Sequence, residues 1–131
     1  MNMRLHITYC SKDKKTGKGE IPAIERYDSS RIREVKELAD RKEKDFAILS
    51  GKYGLIPSEK PIPEYDKLLR KEDIERLLPE VKKFLKMKKP EKVIYHTKKV
   101  EGKRKPYFEL IKESCKVEET DFEKRIISQD T

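Results

Sequence analysis

The chain has 131 residues, 34% hydrophobic and 44% charged, with 33 Lys and Arg against 25 Asp and Glu and a formal net charge of +8. That length suits one domain over residues 1–131 that needs no disulfide or metal staple, and its apolar residues fall in periodic blocks, which excludes a disordered chain. No stretch reaches the ~18 apolar residues of a membrane span and the first residues lack a signal peptide's apolar run, so a soluble, cytoplasmic protein without a membrane partner is expected.

The basic excess favours polyanions, nucleic acid or nucleotides among them. It has a second reading. Side-chain amides are confined to Asn2 and Gln129 while Lys and Glu abound, which is also the composition of an ion-paired thermophile surface. Cys10 and Cys115 have neither CxxC spacing nor a histidine cluster, so no zinc site, disulfide framework or cofactor is implied.

Arg4 to Cys10, RLHITYC, alternates Leu5, Ile7 and Tyr9 with His6 and Thr8 and reads as a first strand. The following stretch, residues 11–28, holds Gly17, Gly19 and Pro22 without helical or strand period and is expected as a long loop. Ser29 or Ser30 caps a helix whose core face is Ile32, Val35, Leu38 and Ala39. Phe46 to Ser50, FAILS, is continuously apolar, as a central strand covered on both faces should be.

Ser50-Gly51-Lys52-Tyr53-Gly54 then leads into a loop stiffened by Pro57, Pro61 and Pro63. A second helix from about Lys71 aligns Ile74, Leu77, Leu78, Val81 and Leu85, with Pro79 as a kink point. Lys92 to Thr97 is a third strand, a helix starts at Pro106 with Tyr107, Leu110 and Ile111 on its apolar side, and CKVEE, from Cys115, is a candidate last strand. The final segment from Phe122 carries no clear period. This order predicts an α/β fold, a single-domain three-layer sandwich with a mostly parallel, Rossmann-like sheet of about four strands.

In such a sheet ligands bind beyond the carboxyl ends of the strands. Parallel strands would bring together Cys10-Ser11-Lys12, Ser50-Gly51-Lys52-Tyr53-Gly54 and His96-Thr97-Lys98-Lys99. There Gly51 and Gly54 would let backbone N–H groups cradle an anion. Lys12 and Lys52 would neutralise a phosphate, Ser11 and Ser50 would donate hydrogen bonds, and Tyr53 would offer a face to a nucleobase. The bland alternative is that glycines and lysines merely decorate turns. Neither a P-loop nor a GxGxxG fingerprint occurs.

Cys10 is either a nucleophile activated by its surroundings or a small buried hydrophobe. His6 reads as structural. His96 is an acid/base candidate that lacks an evident orienting carboxylate. Asp66 and Glu64 are placed to bond a ribose or base edge, or to cap the next helix. Tyr65 reads as core, while Arg26 and Tyr27 either close over the site or lead into the helix.

The blocks ITYCSKDKK, ERYDSS and ILSGKYGLIPSEKPIPEYDKLL resemble a family of small uncharacterised α/β domains with a Cys-Ser-Lys strand exit, a Tyr-x-Ser helix start and a Ser-Gly-Lys-Tyr-Gly-Leu loop. The last block is also similar to the Ser-Gly-x-Tyr-Gly-Leu segment of the YaaA peroxide-stress proteins. By position, the resemblance marks Cys10, Ser11, Lys12, Tyr27, Ser29, Ser50, Lys52, Tyr53, Gly54, Leu55, Tyr65 and Asp66. YaaA proteins are associated with DNA binding and with limiting oxidative damage. Here the family's Pro-Tyr-Asp becomes Pro63-Glu64-Tyr65-Asp66, and the chain is much shorter than YaaA.

The expected function is therefore binding of a nucleotide or nucleic acid, phosphate and base, at the strand exits. The rival is an enzyme acting on a nucleobase, nucleoside or related small molecule, with Cys10 or Asp66 carrying the chemistry.

Overall fold

The computed structural model describes residues 3–127. The first half contains β1 (Arg4–Tyr9), β2 (Ile21–Pro22), α1 (Ala23–Arg26), α2 (Ser30–Arg41), β3 (Asp45–Ser50), β4 (Gly54–Pro57) and β5 (Pro61–Ile62). The second contains α3 (Ile74–Lys88), β6 (Lys92–Thr97), α4 (Lys105–Val117) and β7 (Asp121–Ile126). The architecture is mixed α/β. A five-stranded sheet runs in the order β4-β3-β1-β6-β7, and β2 pairs with β5 separately.

Within the main sheet β1, β3, β6 and β7 are parallel, whereas β4 returns antiparallel to β3. β1 is central, and Leu5 through Tyr9 are all buried, which is why this strand is apolar or hydrogen-bonded on both sides. At one edge, β7 carries Glu123, Lys124 and Arg125, charges that discourage pairing with a further strand. The ends of β1, β3 and β6 consequently meet at one edge of the sheet.

Sequence and structure agree on α2, on α3 and on where α4 begins. Ser29 caps α2, its hydroxyl accepting the Ile32 N–H at 3.2 Å, and Ile32, Val35 and Ala39 are buried where α2 packs on β1 and β3. In α3 Leu77, Val81, Phe84 and Leu85 are buried. That helix continues past Pro79 and packs on β4 and α4. Among the described residues no helix is long and apolar enough to cross a membrane.

Two expectations are corrected. Cys115 to Val117 belong to α4, because the buried series Tyr107, Leu110, Ile111, Ser114, Cys115 keeps helical spacing to the end. The last strand is drawn instead from the segment whose sequence showed no period, since an edge strand half in solvent needs no apolar alternation. The sheet also has one strand more than expected. Gly54, at φ +80°, turns the chain back so that Gly54 to Pro57 pairs with β3.

The long loop is more ordered than its composition suggests. It holds β2, α1 and a bridge between Lys14 and Tyr27. Arg26, 1% exposed, donates to the carbonyls of Lys15 at 2.7 Å, Gly19 at 2.9 Å and Ile62 at 3.3 Å. One guanidinium thus satisfies backbone oxygens that a periodless segment cannot pair by itself.

His6 and His96 form a buried pair inside the sheet, Nδ1 to Nε2 at 2.7 Å with ring centroids 5.0 Å apart. Such a bond needs one donor and one acceptor, so both rings can be neutral. Burial pulls both pKa values down to about 4, assisted by Arg125 and Lys42 and, for His96, by His6 itself. In the unfolded chain a histidine titrates near its usual value of about 6.5, so between that pH and about 4 the unfolded state binds more protons. Stability is therefore full above that window and falls as pH drops through it, by at most about 1.4 kcal/mol per pH unit for each ring. Urea midpoints followed from pH 7.5 to 4.5 should show this slope, and a His6→Phe, His96→Leu double variant should flatten it.

Candidate functional site

A cleft of about 640 Å³ opens at the sheet edge where β1 and β6 end. The exit of β1 supplies Cys10, Ser11, Lys12, Asp13 and Lys14, and the start of α2 supplies Asp28, Ser29, Ser30 and Arg31. Asp66, Lys67 and Leu68 form another wall. Lys98 comes from beyond β6, and Lys103, Arg104 and Tyr107 from the entry to α4. Cations outnumber acids around it.

Arg31 is the most informative of these residues. Its Nη1 donates to Thr8 Oγ1 and to the Tyr9 carbonyl, each at 2.7 Å, and its Nη2 donates to the Cys10 carbonyl at 3.2 Å. The guanidinium carbon lies 3.6 Å from the Tyr9 ring centroid. All those acceptors are neutral, and among the described residues no carboxylate forms an ion pair with Arg31. Burial works against its charge and lowers its pKa. Of the five N–H donors of a guanidinium, three are engaged, which leaves Nε and one Nη2 hydrogen. Donors of this kind grip the oxygens of a carboxylate or phosphate.

The position of Arg31 adds to this. It is the second residue after the Ser29 cap, in a first turn without acidic residues, so a cation sits where the helix dipole is already positive. Lys12, Lys14, Lys98 and Lys103 likewise have no ion pair among the described residues, whereas Lys67 is held by Asp73 at 2.8 Å and Arg104 lies 3.8 Å from Glu101. Asp28 faces Arg33 at 3.9 Å, which leaves Asp13 and Asp66 as carboxylates free of a partner among the described residues.

Of the residues singled out in the sequence, Cys10, Ser11, Lys12, Ser29 and Asp66 line this cleft. Tyr27, Ser50, Lys52, Tyr53 and Tyr65 do not line it and form a cluster of their own. Tyr65 OH bonds both Tyr27 OH and, at 2.8 Å, Ser50 Oγ, and Ser50 Oγ in turn accepts the N–H groups of Lys52 and Tyr53, each at 3.1 Å. The Tyr53 and Tyr27 rings meet Tyr65 edge-on at 5.5 and 6.2 Å. Lys14 and Lys52 place their ammonium groups 4.6 and 5.6 Å from the Tyr65 centroid. Burial raises the pKa of both Tyr27 and Tyr65, so these phenols stay protonated.

At Gly51 the neighbouring backbone leaves no room for a side chain. A Cβ on Gly51 would stand 2.6 Å from the Lys67 carbonyl oxygen and 2.9 Å from Leu69 N, both backbone atoms, and 3.0 Å from Tyr107 OH. Tyr107 OH accepts the Leu69 N–H at 3.0 Å and lies 3.5 Å from Cys10 Sγ. His96 is 3% exposed, paired with His6, and does not line the cleft. Among the described residues no group of three or more His, Cys, Asp or Glu side chains is placed to hold a metal ion.

Sequence reasoning passed over Arg31, Lys14, Lys103 and Arg104, and read Tyr107 as a core residue alone. For Arg31 a signal existed, since an arginine just after a serine cap opposes the dipole. Lys103 and Arg104 sit among so many lysines that no pattern distinguishes them.

The Gly51 contact is directly testable. Gly51→Ala should cost about 1–3 kcal/mol, the usual range for overpacking, because its new methyl meets backbone that cannot step aside. Urea unfolding measures this, and a midpoint equal to wild type would mean that the Lys67–Leu69 segment yields.

No curated protein and no solved structure matches the chain. A family model does match, over residues 6–99, which takes in β1 through β6 and every cleft wall except the approach to α4. On that match the chain belongs to DUF6884, a family of unknown function.

Proposed function

We propose that the protein binds a nucleotide, free or as the phosphate-and-base unit of a nucleic acid, in the cleft at the strand ends. The observation that carries this reading is Arg31. A half-buried guanidinium with two unused donors, no acidic partner among the described residues and a helix N-terminus behind it lacks the anion that would compensate it.

Other features support the same reading. Lys12, Lys98 and Lys103 surround the opening and would meet further phosphate oxygens. Leu68 offers exposed apolar surface to a base, and Asp66 an acceptor for a ribose hydroxyl or exocyclic amine. We read the layering likewise as a three-layer, Rossmann-like sandwich, with α2 on one face and α3 and α4 on the other, in which such ligands sit beyond the strand ends. The similarity of Ser50 to Leu55 to the YaaA proteins, associated with DNA binding, points in the same direction.

The test is fluorescence anisotropy with labelled single-stranded DNA, duplex DNA and RNA across a salt series, with AMP as competitor. A Lys12→Ala, Lys98→Ala, Lys103→Ala variant should bind more weakly and lose about 0.7–0.9 of salt slope for each phosphate contact removed. A variant with Lys71, Lys83 and Lys116 changed to alanine should bind as wild type does. Equal losses in the two variants would mean a diffuse basic surface in place of a site.

A second reading, an enzyme acting on a nucleobase, nucleoside or related molecule, has its own support in Cys10 and Asp66 lining the same cleft. Cys115 is fully buried and its thiol is pushed up to about 12 by burial, so it should resist alkylation. Iodoacetamide followed by mass spectrometry should label Cys10 first, and AMP should protect it. Equal, slow labelling of both would remove Cys10 from any covalent role.

A further inference from the structure

Among the described residues Tyr95 has the one buried side-chain oxygen or nitrogen without a hydrogen-bond partner. Tyr95 lies in β6 and is fully buried, its ring packed against Phe108 and Phe122, each with centroids 6.4 Å away. An inserted phenol whose oxygen bonds nothing is a net cost to the free protein, because phenylalanine would fill the same space without losing a bond to water. Such an orphan calls for an explanation.

Its placement supplies one. Tyr95 pairs in register with Ile7, so it shares a sheet face with Ile7 and with Tyr9 two residues on, toward the edge where the cleft opens. Tyr9 is the residue on which the Arg31 guanidinium stacks, and its ring centroid lies 6.0 Å from that of Tyr107. Arg31, Tyr9 and Tyr107 line the cleft, and Tyr95, fully buried and not itself among the lining residues, lies on the same sheet face beneath Tyr9. Burial raises the pKa of this phenol well above its ordinary value. It therefore stays an O–H donor.

Resting on the reading of the cleft as a nucleotide site, we propose that Tyr95 is a ligand-binding residue, its hydroxyl joining the unused Nε and Nη2 hydrogens of Arg31 in a subsite for one phosphate group beneath Tyr9, at the base of the cleft. Arg31 supplies charge and two donors, and Tyr95 supplies a neutral donor that anion binding satisfies. The subsite selects a terminal phosphate, since only an end group presents oxygens deep enough to reach below Tyr9. A phosphodiester in mid-strand carries its neighbours on both sides and stops at the lysines of the rim.

Calorimetric titration of wild type and Tyr95→Phe with AMP and adenosine, with melting curves of both ligand-free proteins, tests this. Tyr95→Phe should melt at or above the wild-type temperature, since it loses no bond, and should bind AMP about tenfold or more weakly, the range for a hydrogen bond to a charged group. Adenosine, without the phosphate, should bind both proteins equally weakly. Equal AMP affinity in the two proteins would overturn the role of Tyr95 and leave the nucleotide reading standing. A lowered melting temperature for ligand-free Tyr95→Phe would mean that the hydroxyl is already paired in the free protein, and would also overturn it. Wild type that binds AMP no better than adenosine would remove the phosphate subsite and, with it, the cleft reading on which it rests.

Discussion

The Tyr65 hydroxyl stands between Ser50 and Tyr27, and most of what surrounds the cleft depends on that junction. It ties together the residue that ends β3, the residue that leads into α2 and the segment that crosses toward α3, three pieces of chain distant in sequence. Because Ser50 also caps the turn through Lys52 N and Tyr53 N, the hairpin is closed from within its own first residue. The crossing segment can then lie directly on Gly51, with the Lys67 carbonyl and the Leu69 N–H where a side chain would be. Tyr107 completes the arrangement by accepting from Leu69 N beside Cys10. The wall formed by Asp66 to Leu68 is fixed by these contacts, and the cleft takes its shape from it.

How much of this was legible beforehand follows from what sequence encodes locally. The parallel strands were readable because burial on both faces leaves an uninterrupted apolar run, as in FAILS, and α2 because a serine cap precedes a helical stripe. β7 was not readable, since an edge strand half in solvent carries Lys124 and Arg125 as readily as any loop does. The Ser50-Gly51-Lys52-Tyr53-Gly54 turn was recognisable as unusual, but what the residue types do depends on partners that arrive from positions 65, 67, 69 and 107. A glycine forced by a distant backbone and a glycine that cradles an anion look alike in sequence. Only the three-dimensional neighbour distinguishes them.

The same reasoning applies to charge. A net +8 says nothing of where the excess lies, and many basic residues are spent on exposed ion pairs such as Lys36 with Asp40 and Lys92 with Glu123, contacts worth little in stability. The two interior arginines show two different solutions to burying a cation. Arg26 is surrounded by the carbonyls of Lys15, Gly19 and Ile62, so its donors organise a segment that has no period of its own. Arg31 also bonds neutral oxygens, yet it lines the cleft and keeps two donors unused.

On the proposed reading, that difference separates a structural arginine from one held ready. A guanidinium placed after a helix cap, against the dipole, next to unpaired lysines, is poorly compensated in the free protein, although its bonds to the β1 exit also help to seat the start of α2. Ile32, Val35 and Ala39 bind the rest of that helix to the sheet. The contacts from Thr8, Tyr9 and Cys10 hold the group at a fixed angle on the β1 exit, so its ordering cost is met before any ligand arrives. A phosphate entering the cleft would find donors already oriented and a positive potential already accumulated. Free-state electrostatic strain and affinity for an anion are then the same quantity seen from the two ends of one equilibrium.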